Sequence, residues 1–149
     1  MRGFAKQAFR HDTLGEDEIA FIRERDSFYM ASIAETGWPY IQHRGGPKGF
    51  VRVIDAKTIA FADLRGNRQY ISVSNVKHDD RVALIFVDYP NRARLKVLAR
   101  AKIVPPDEPN AERVFVLSIE GIDWNCPQHI TPRYTLEEIE QLVGCAELA

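Results

Sequence analysis

The chain has little cysteine, Cys126 and Cys145 being the only two among its 149 residues. One pair cannot build a disulfide framework or complete a four-ligand zinc site, so no metal is expected. Charge of one sign is also missing: 20 Lys and Arg stand against 21 Asp and Glu, a formal net charge of -1. A dedicated nucleic-acid binder carries a basic excess or stripe, so nucleic acid is not an expected partner. Long hydrophobic runs are absent. The longest, Val82 to Val87, is far too short to cross a bilayer as a helix, and no membrane association is expected. The opening residues, Met1 to Arg10, lack the apolar stretch of a secretion signal. There is no internal repeat, no Gly/Ser linker, no nucleophile elbow, no HExxH and no CxxC. These absences leave a cytoplasmic single domain over 1–149.

What is present is a texture of strands. The chain is 45% hydrophobic, enough for a core of ordinary size. After an N-terminal arm over 1–12, Thr13 and Glu16 form a capping-box pattern ahead of Ile19-Ala20-Phe21-Ile22, which predicts a short helix. Strands are predicted over Phe28–Ala34, Tyr40–Arg44, Phe50–Asp55, Thr58–Asp63, Arg81–Asp88, Arg94–Val104 and Arg113–Ile122. Val82 to Val87 reads as a strand buried on both faces. Arg94 to Val104 is the clearest: Leu95, Val97, Ala99, Ala101 and Ile103 alternate with mostly basic residues, so one face enters a core and the other stays basic. Helices are predicted over Asn67–Lys77 and, from a second capping box at Thr135 and Glu138, over 135–144. Strands with few short helices point to a mainly β (α+β) fold, a small antiparallel barrel rather than a doubly wound sheet.

Three segments have the chemistry of a binding site. Ala62-Asp63-Leu64-Arg65-Gly66-Asn67-Arg68-Gln69 leaves a strand, turns at glycine and enters a helix. Free N–H groups and guanidinium donors of this kind suit a phosphate, although an ordinary strand-to-helix turn looks the same. Gln42-His43-Arg44-Gly45-Gly46-Pro47-Lys48-Gly49 combines glycines, which let backbone approach a ligand, with two cations; its alternative reading is a long hairpin loop. Trp124-Asn125-Cys126-Pro127-Gln128-His129-Ile130 holds an indole, an amide, a thiol and an imidazole. Trp124, Gln128 and His129 could line a pocket for a flat aromatic ligand, with Cys126 a small apolar residue.

In their order, these segments resemble the flavin-binding split-barrel family of pyridoxamine 5′-phosphate oxidase, over about Ile19 to Val104 and again from Gly121 to Ile130. The resemblance lies in Arg44…Lys48, the turn Gly66-Asn67-Arg68-Gln69, the apolar strand Val82 to Val87, and the long strand from Ala93-Arg94-Leu95 to Val104. It implies a homodimer of six-stranded split barrels with two flavins at the interface. By the same resemblance Arg44, Lys48, Asn67 and Arg68 hold the flavin phosphate with Gln69 nearby. Backbone of Gly45, Gly46, Pro47 and Lys48, and of Ala62 and Asp63, flanks the ring, and Arg94 and Lys96 approach it from the partner subunit. Trp124, Asn125, Gln128 and His129 stand near its open face, His129 being the one candidate for acid–base work. The implied cofactor is FMN, with FAD, the deazaflavin F420 and haem as the family's alternatives. The implied activity is oxidation or reduction of a small molecule, with reduced nicotinamide a possible electron source; the alternative is a non-catalytic flavin carrier or redox sensor. Asn67 stands where the family usually has Ser, Gln69 where it has a basic residue, and the arginines that bind pyridoxal phosphate have no counterpart, so vitamin B6 oxidation is not implied.

Overall fold

A computed structural model describes residue 9 and residues 11–64, 70–125 and 128–148; the side chains of 125 and 145–148 are not described. In chain order the elements are α1 (Glu16–Arg23), β1 (Ser27–Ile33), β2 (Pro39–Gly45), β3 (Arg52–Asp55), β4 (Thr58–Leu64), α2 (Tyr70–His78), β5 (Arg81–Asp88), β6 (Ala93–Val104), β7 (Ala111–Asn125) and α3 (Leu136–Leu148). The fold is mainly β and antiparallel, as the alternating patterns predict. The sheet has seven strands where the family resemblance implies six, in the order β2-β1-β5-β6-β7-β4-β3, and it is not closed into a ring.

The sheet rolls over one apolar core. β6 is its spine, pairing with β5 from Arg81↔Arg100 to Asp88↔Ala93 and with β7 from Arg94↔Asn125 to Val104↔Val114. Its odd residues Leu95, Val97, Ala99 and Ala101 are buried, facing Val82, Leu84 and Phe86 of β5 and Phe115, Leu117 and Ile119 of β7. The roll brings strands that are not neighbours into contact. Phe28 of β1 lies 5.0 Å from Phe61 of β4 and 5.2 Å from Phe86 of β5, ring centre to ring centre. Burial of such rings is the main favourable term in folding. On β5 only one face is buried. Ala83, Ile85 and Val87 on the other face are half-covered, which corrects the expectation of burial on both faces.

The ends of the elements follow local chemistry. Thr13 does not cap α1. It bonds Asp12, and Gly15 takes the N-cap position without a side-chain bond, because Thr13 lies two residues too early. The second capping box forms in full: the Glu138 amide donates to Thr135 Oγ1 (3.1 Å) and the Thr135 amide to Glu138 Oε1 (2.9 Å), holding the Glu138 carboxyl below its usual range. α3 then runs past Gly144 to Leu148. The end of the arm crosses β7, with His11 bridged to Ile122. A Cβ on Gly121 would stand 2.7 Å from Phe9 Cβ, so glycine is what lets the arm lie there. Among the described residues, no helix is long and apolar enough to cross a membrane.

Between α2 and β5, Asp79 accepts from its neighbour's amide and guanidinium, Arg81 Nη2 at 2.5 Å. Chiefly through those side-chain hydrogen bonds, Arg81 holds the Asp79 carboxyl at about 2 instead of 3.8. A lowered value means that ionised Asp79 favours the folded chain above the unfolded value and that this contribution vanishes as pH falls through the folded one. Urea unfolding of Asp79→Asn is therefore expected to show a lower midpoint than the parent at neutral pH. That gap should close between 3.8 and about 2; a gap that persists at the acid end would refute the pairing.

Candidate functional site

Strand alternation sends the even residues of β2 inward, and at Arg44 this places a guanidinium inside the sheet. Arg44 is 3% exposed and pairs with Asp63 of β4, itself 1% exposed. β2 is an edge strand and β4 lies next to the opposite edge, so the pair closes across the roll. The guanidinium sits over two stacked rings, 4.9 Å from Phe115 and 5.4 Å from Phe61. Arg113 of β7 reaches the other Asp63 oxygen at 3.5 Å and Glu112 at 2.8 Å. Burial pushes the Asp63 carboxyl up from its ordinary value, against the opposing pull of Arg44 and Arg113; burial likewise pushes the Arg44 guanidinium down. Beside this cluster, Ser72 of α2 bonds Gln42, and Asn75 donates to Ser32 Oγ at 3.0 Å. Arg44 Nε and Nη2 are buried with no hydrogen-bond partner among the described residues.

The glycine loop after β2 is tied down by its own backbone. The Gly46 amide donates to Asp26 O (3.0 Å) and the Gly49 amide to Arg25 O (3.3 Å), with Gly49 in the left-handed region at φ 79. Gly45, Pro47 and Lys48 are exposed, and Lys48 lies close enough to Glu138 to favour its ionised form. Ala62 is half-buried next to buried Asp63. Gly66, Asn67, Arg68 and Gln69 lie outside the described residues, as do Cys126 and the side chain of Asn125.

The expected aromatic motif divides. Trp124 pairs with Leu95 across the β6–β7 ladder, on the same face as that core residue; its ring stays exposed and meets Phe21 edge-on at 4.8 Å. Arg94 and Lys96 point to the opposite face, half-buried. Of the motif, His129 reaches that outer face, where it and Arg94 line a cavity of about 300 Å³ together with Tyr29, Tyr89 and Arg133; Trp124 and Gln128 are not among its lining residues. The sequence reading missed Tyr29, Tyr89 and Arg133. They come from three separate segments, and no local pattern in the sequence joins them.

A sequence model of the family described as pyridoxamine 5′-phosphate oxidase matches residues 16–132. The chain belongs to this family. No curated protein matches the chain in sequence. Solved structures share the fold. A Lactobacillus delbrueckii protein described as a candidate pyridoxamine 5′-phosphate oxidase is 22% identical with a TM-score of 0.60, over 76% of this chain and 95% of its own. An FMN-binding protein from Syntrophomonas wolfei is 10% identical with a TM-score of 0.55, over 84% and 93%. A heme storage protein from Vibrio cholerae is 16% identical with a TM-score of 0.53, over 72% and 92%. The fold is thus shared with proteins described by different cofactors.

In this family member the Arg44–Asp63 pair is buried on both sides, so breaking it should cost far more than a surface ion pair. Asp63→Asn leaves a desolvated guanidinium without its countercharge and is expected to cost about 3–5 kcal/mol in urea unfolding. Replacing both partners by apolar residues, Arg44→Met with Asp63→Leu, should cost less than the single change. A single-variant loss below about 1 kcal/mol would show that Asp63 is not the counterion.

Proposed function

We propose that the chain binds a flavin, FMN in the first instance, and acts as a flavin-dependent oxidoreductase on a small molecule. The observation that carries this reading is Arg44: it stands where the family resemblance puts a phosphate ligand, and two of its buried nitrogens have no partner among the described residues. Buried donors without partners are costly, and phosphate oxygens are acceptors of the matching kind. Asp63 already balances the charge of Arg44. The charge that neutralises a phosphate would therefore come from Lys48, which is exposed, and from Arg68, while Arg44 contributes N–H donors. Asn67 and Gln69 complete the set. Backbone of Gly45 to Lys48 and of Ala62 to Asp63 flanks the ring, and Arg94 and Lys96 reach it from a second copy of the chain in a homodimer.

When bound, a flavin supplies two-electron redox chemistry. The residues around it bind, orient and exclude water; His129 is the only group proposed to move a proton, at its imidazole. F420 and FAD are the alternative cofactors. A second reading, a chain that holds its cofactor without turnover, draws support from the heme storage protein that shares the fold.

An absorbance scan of the freshly purified protein, followed by mass identification of the released chromophore, tests the proposal. Flavin bands are expected, and Arg68→Ala or Lys48→Met should weaken retention about tenfold or more. A protein that stays colourless after incubation with FMN, FAD and F420 refutes it. Oxidation of reduced nicotinamide by the loaded protein separates the enzyme from the carrier.

A further inference from the structure

The carboxylate of Asp63 is divided between two arginines, one oxygen to each. Oδ1 accepts from Arg44 Nη1, and Oδ2 accepts from Arg113 Nη1 at 3.5 Å. A guanidinium and a carboxylate left to themselves tend to pair as a fork, with two parallel N–H···O bonds that use both oxygens. Here the fork is not made. Arg44 is held through one nitrogen, and its Nε and Nη2 are buried with no hydrogen-bond partner among the described residues.

The sheet places Arg113 for this contact. It stands directly opposite Asp63 in the β4–β7 ladder, so the two side chains share a face. Just beyond this pair the register shifts: Leu64 pairs with Ala111, which leaves Glu112 as the extra residue of a bulge. Glu112 accepts from Arg113 Nη2 at 2.8 Å. The Arg113 guanidinium also lies 5.2 Å from the centre of the Tyr70 ring, at the head of α2. Asp63, Glu112 and Tyr70 thus fix a half-buried arginine to which the family resemblance gives no role.

We propose that Arg113 is a positioning residue for an anion at Arg44: by holding Asp63 Oδ2 it keeps the Arg44–Asp63 contact single, and so reserves Arg44 Nε and Nη2 for phosphate oxygens. Without Arg113 the carboxylate turns and closes the fork, and the pair satisfies itself in place of the ligand. The inference rests on the flavin reading, from which it takes the phosphate as the anion that Arg44 meets.

Full-length protein, stripped of any bound flavin, is titrated with FMN and with riboflavin, which has the same ring and ribityl chain but no phosphate, and the flavin fluorescence is followed. Arg113→Met is expected to weaken FMN about tenfold or more and riboflavin less than about twofold. Arg113→Lys, which returns a cation to Oδ2, should bind FMN within about threefold of the parent. If the methionine variant does not fold, Arg113→Gln gives the same comparison. Equal loss of both ligands, as a merely structural role would produce, overturns the proposal. So does an unchanged FMN affinity, or a lysine variant as weak as the methionine one. A parent that binds riboflavin as tightly as FMN overturns it while the flavin reading stands. A parent that binds neither flavin is titrated with inorganic phosphate by phosphorus NMR. Phosphate held by the parent and lost in Arg113→Met refutes the flavin reading and leaves this inference standing; no phosphate binding, or binding that Arg113→Met leaves unchanged, overturns both.

Discussion

Period-two alternation along β6 is the constraint on which both the core and the outer pocket depend. A strand in register with β5 on one side and β7 on the other cannot slip by one residue without exchanging its faces. Leu95, Val97, Ala99 and Ala101 on one face would then be exposed, and Arg94, Lys96 and Arg100 would enter the core. Both changes are expensive, the first in lost apolar burial and the second in desolvated charge. The register that follows sets Phe28, Phe61 and Phe86 against one another inside the roll, and it sets Arg94 beside Ile85 and Val87 outside it.

Against that apolar interior, the Arg44–Asp63 pair is an exception that calls for its own chemistry. Two charges have been taken out of water where two leucines could have packed, and a buried ion pair is weak evidence for stability. Phe61 and Phe115 lie against the guanidinium, Arg113 shares the carboxylate, and among the described residues Arg44 Nε and Nη2 have no hydrogen-bond partner. A group held in this way is stiff, and stiff donors suit recognition of an anion better than mobile ones. The loop of Gly45 to Gly49 is held in the same manner, by amides donated to the turn between α1 and β1, which leaves its cationic Lys48 exposed at a defined place. The match over 16–132 shows the family, and the shared fold alone does not decide the cofactor.

Much of this architecture was legible in the chain because its cause is local. The alternating residues of β6 announce a strand and its buried face, and Thr135 with Glu138 announces the cap that forms. Where local cues conflicted, the reading went astray: Thr13 and Glu16 match a capping box by spacing, but the helix begins after Gly15, and Thr13 turns to Asp12. Val82 to Val87 carries no polar residue to betray an uncovered face, so an unbroken apolar run read as burial on both sides. The motif from Trp124 to His129 looked like one surface, yet the strand pairing puts Trp124 on the face of Leu95, against Phe21, while His129 reaches the other face.

By itself, then, the sequence determined the elements whose energetics involve near neighbours: strand periodicity, the α3 cap, the turns at glycine and the near-zero net charge. It also determined the family, since segment order and residue type are one-dimensional properties. Only the tertiary structure decided that Asp63, nineteen residues from Arg44, is its counterion, and that Tyr29, Tyr89 and Arg133 share one cavity. Contacts across the roll depend on which strands meet after pairing, and no local periodicity encodes that meeting. Side-chain alternation says which face a residue occupies; the order of the strands says what it finds there.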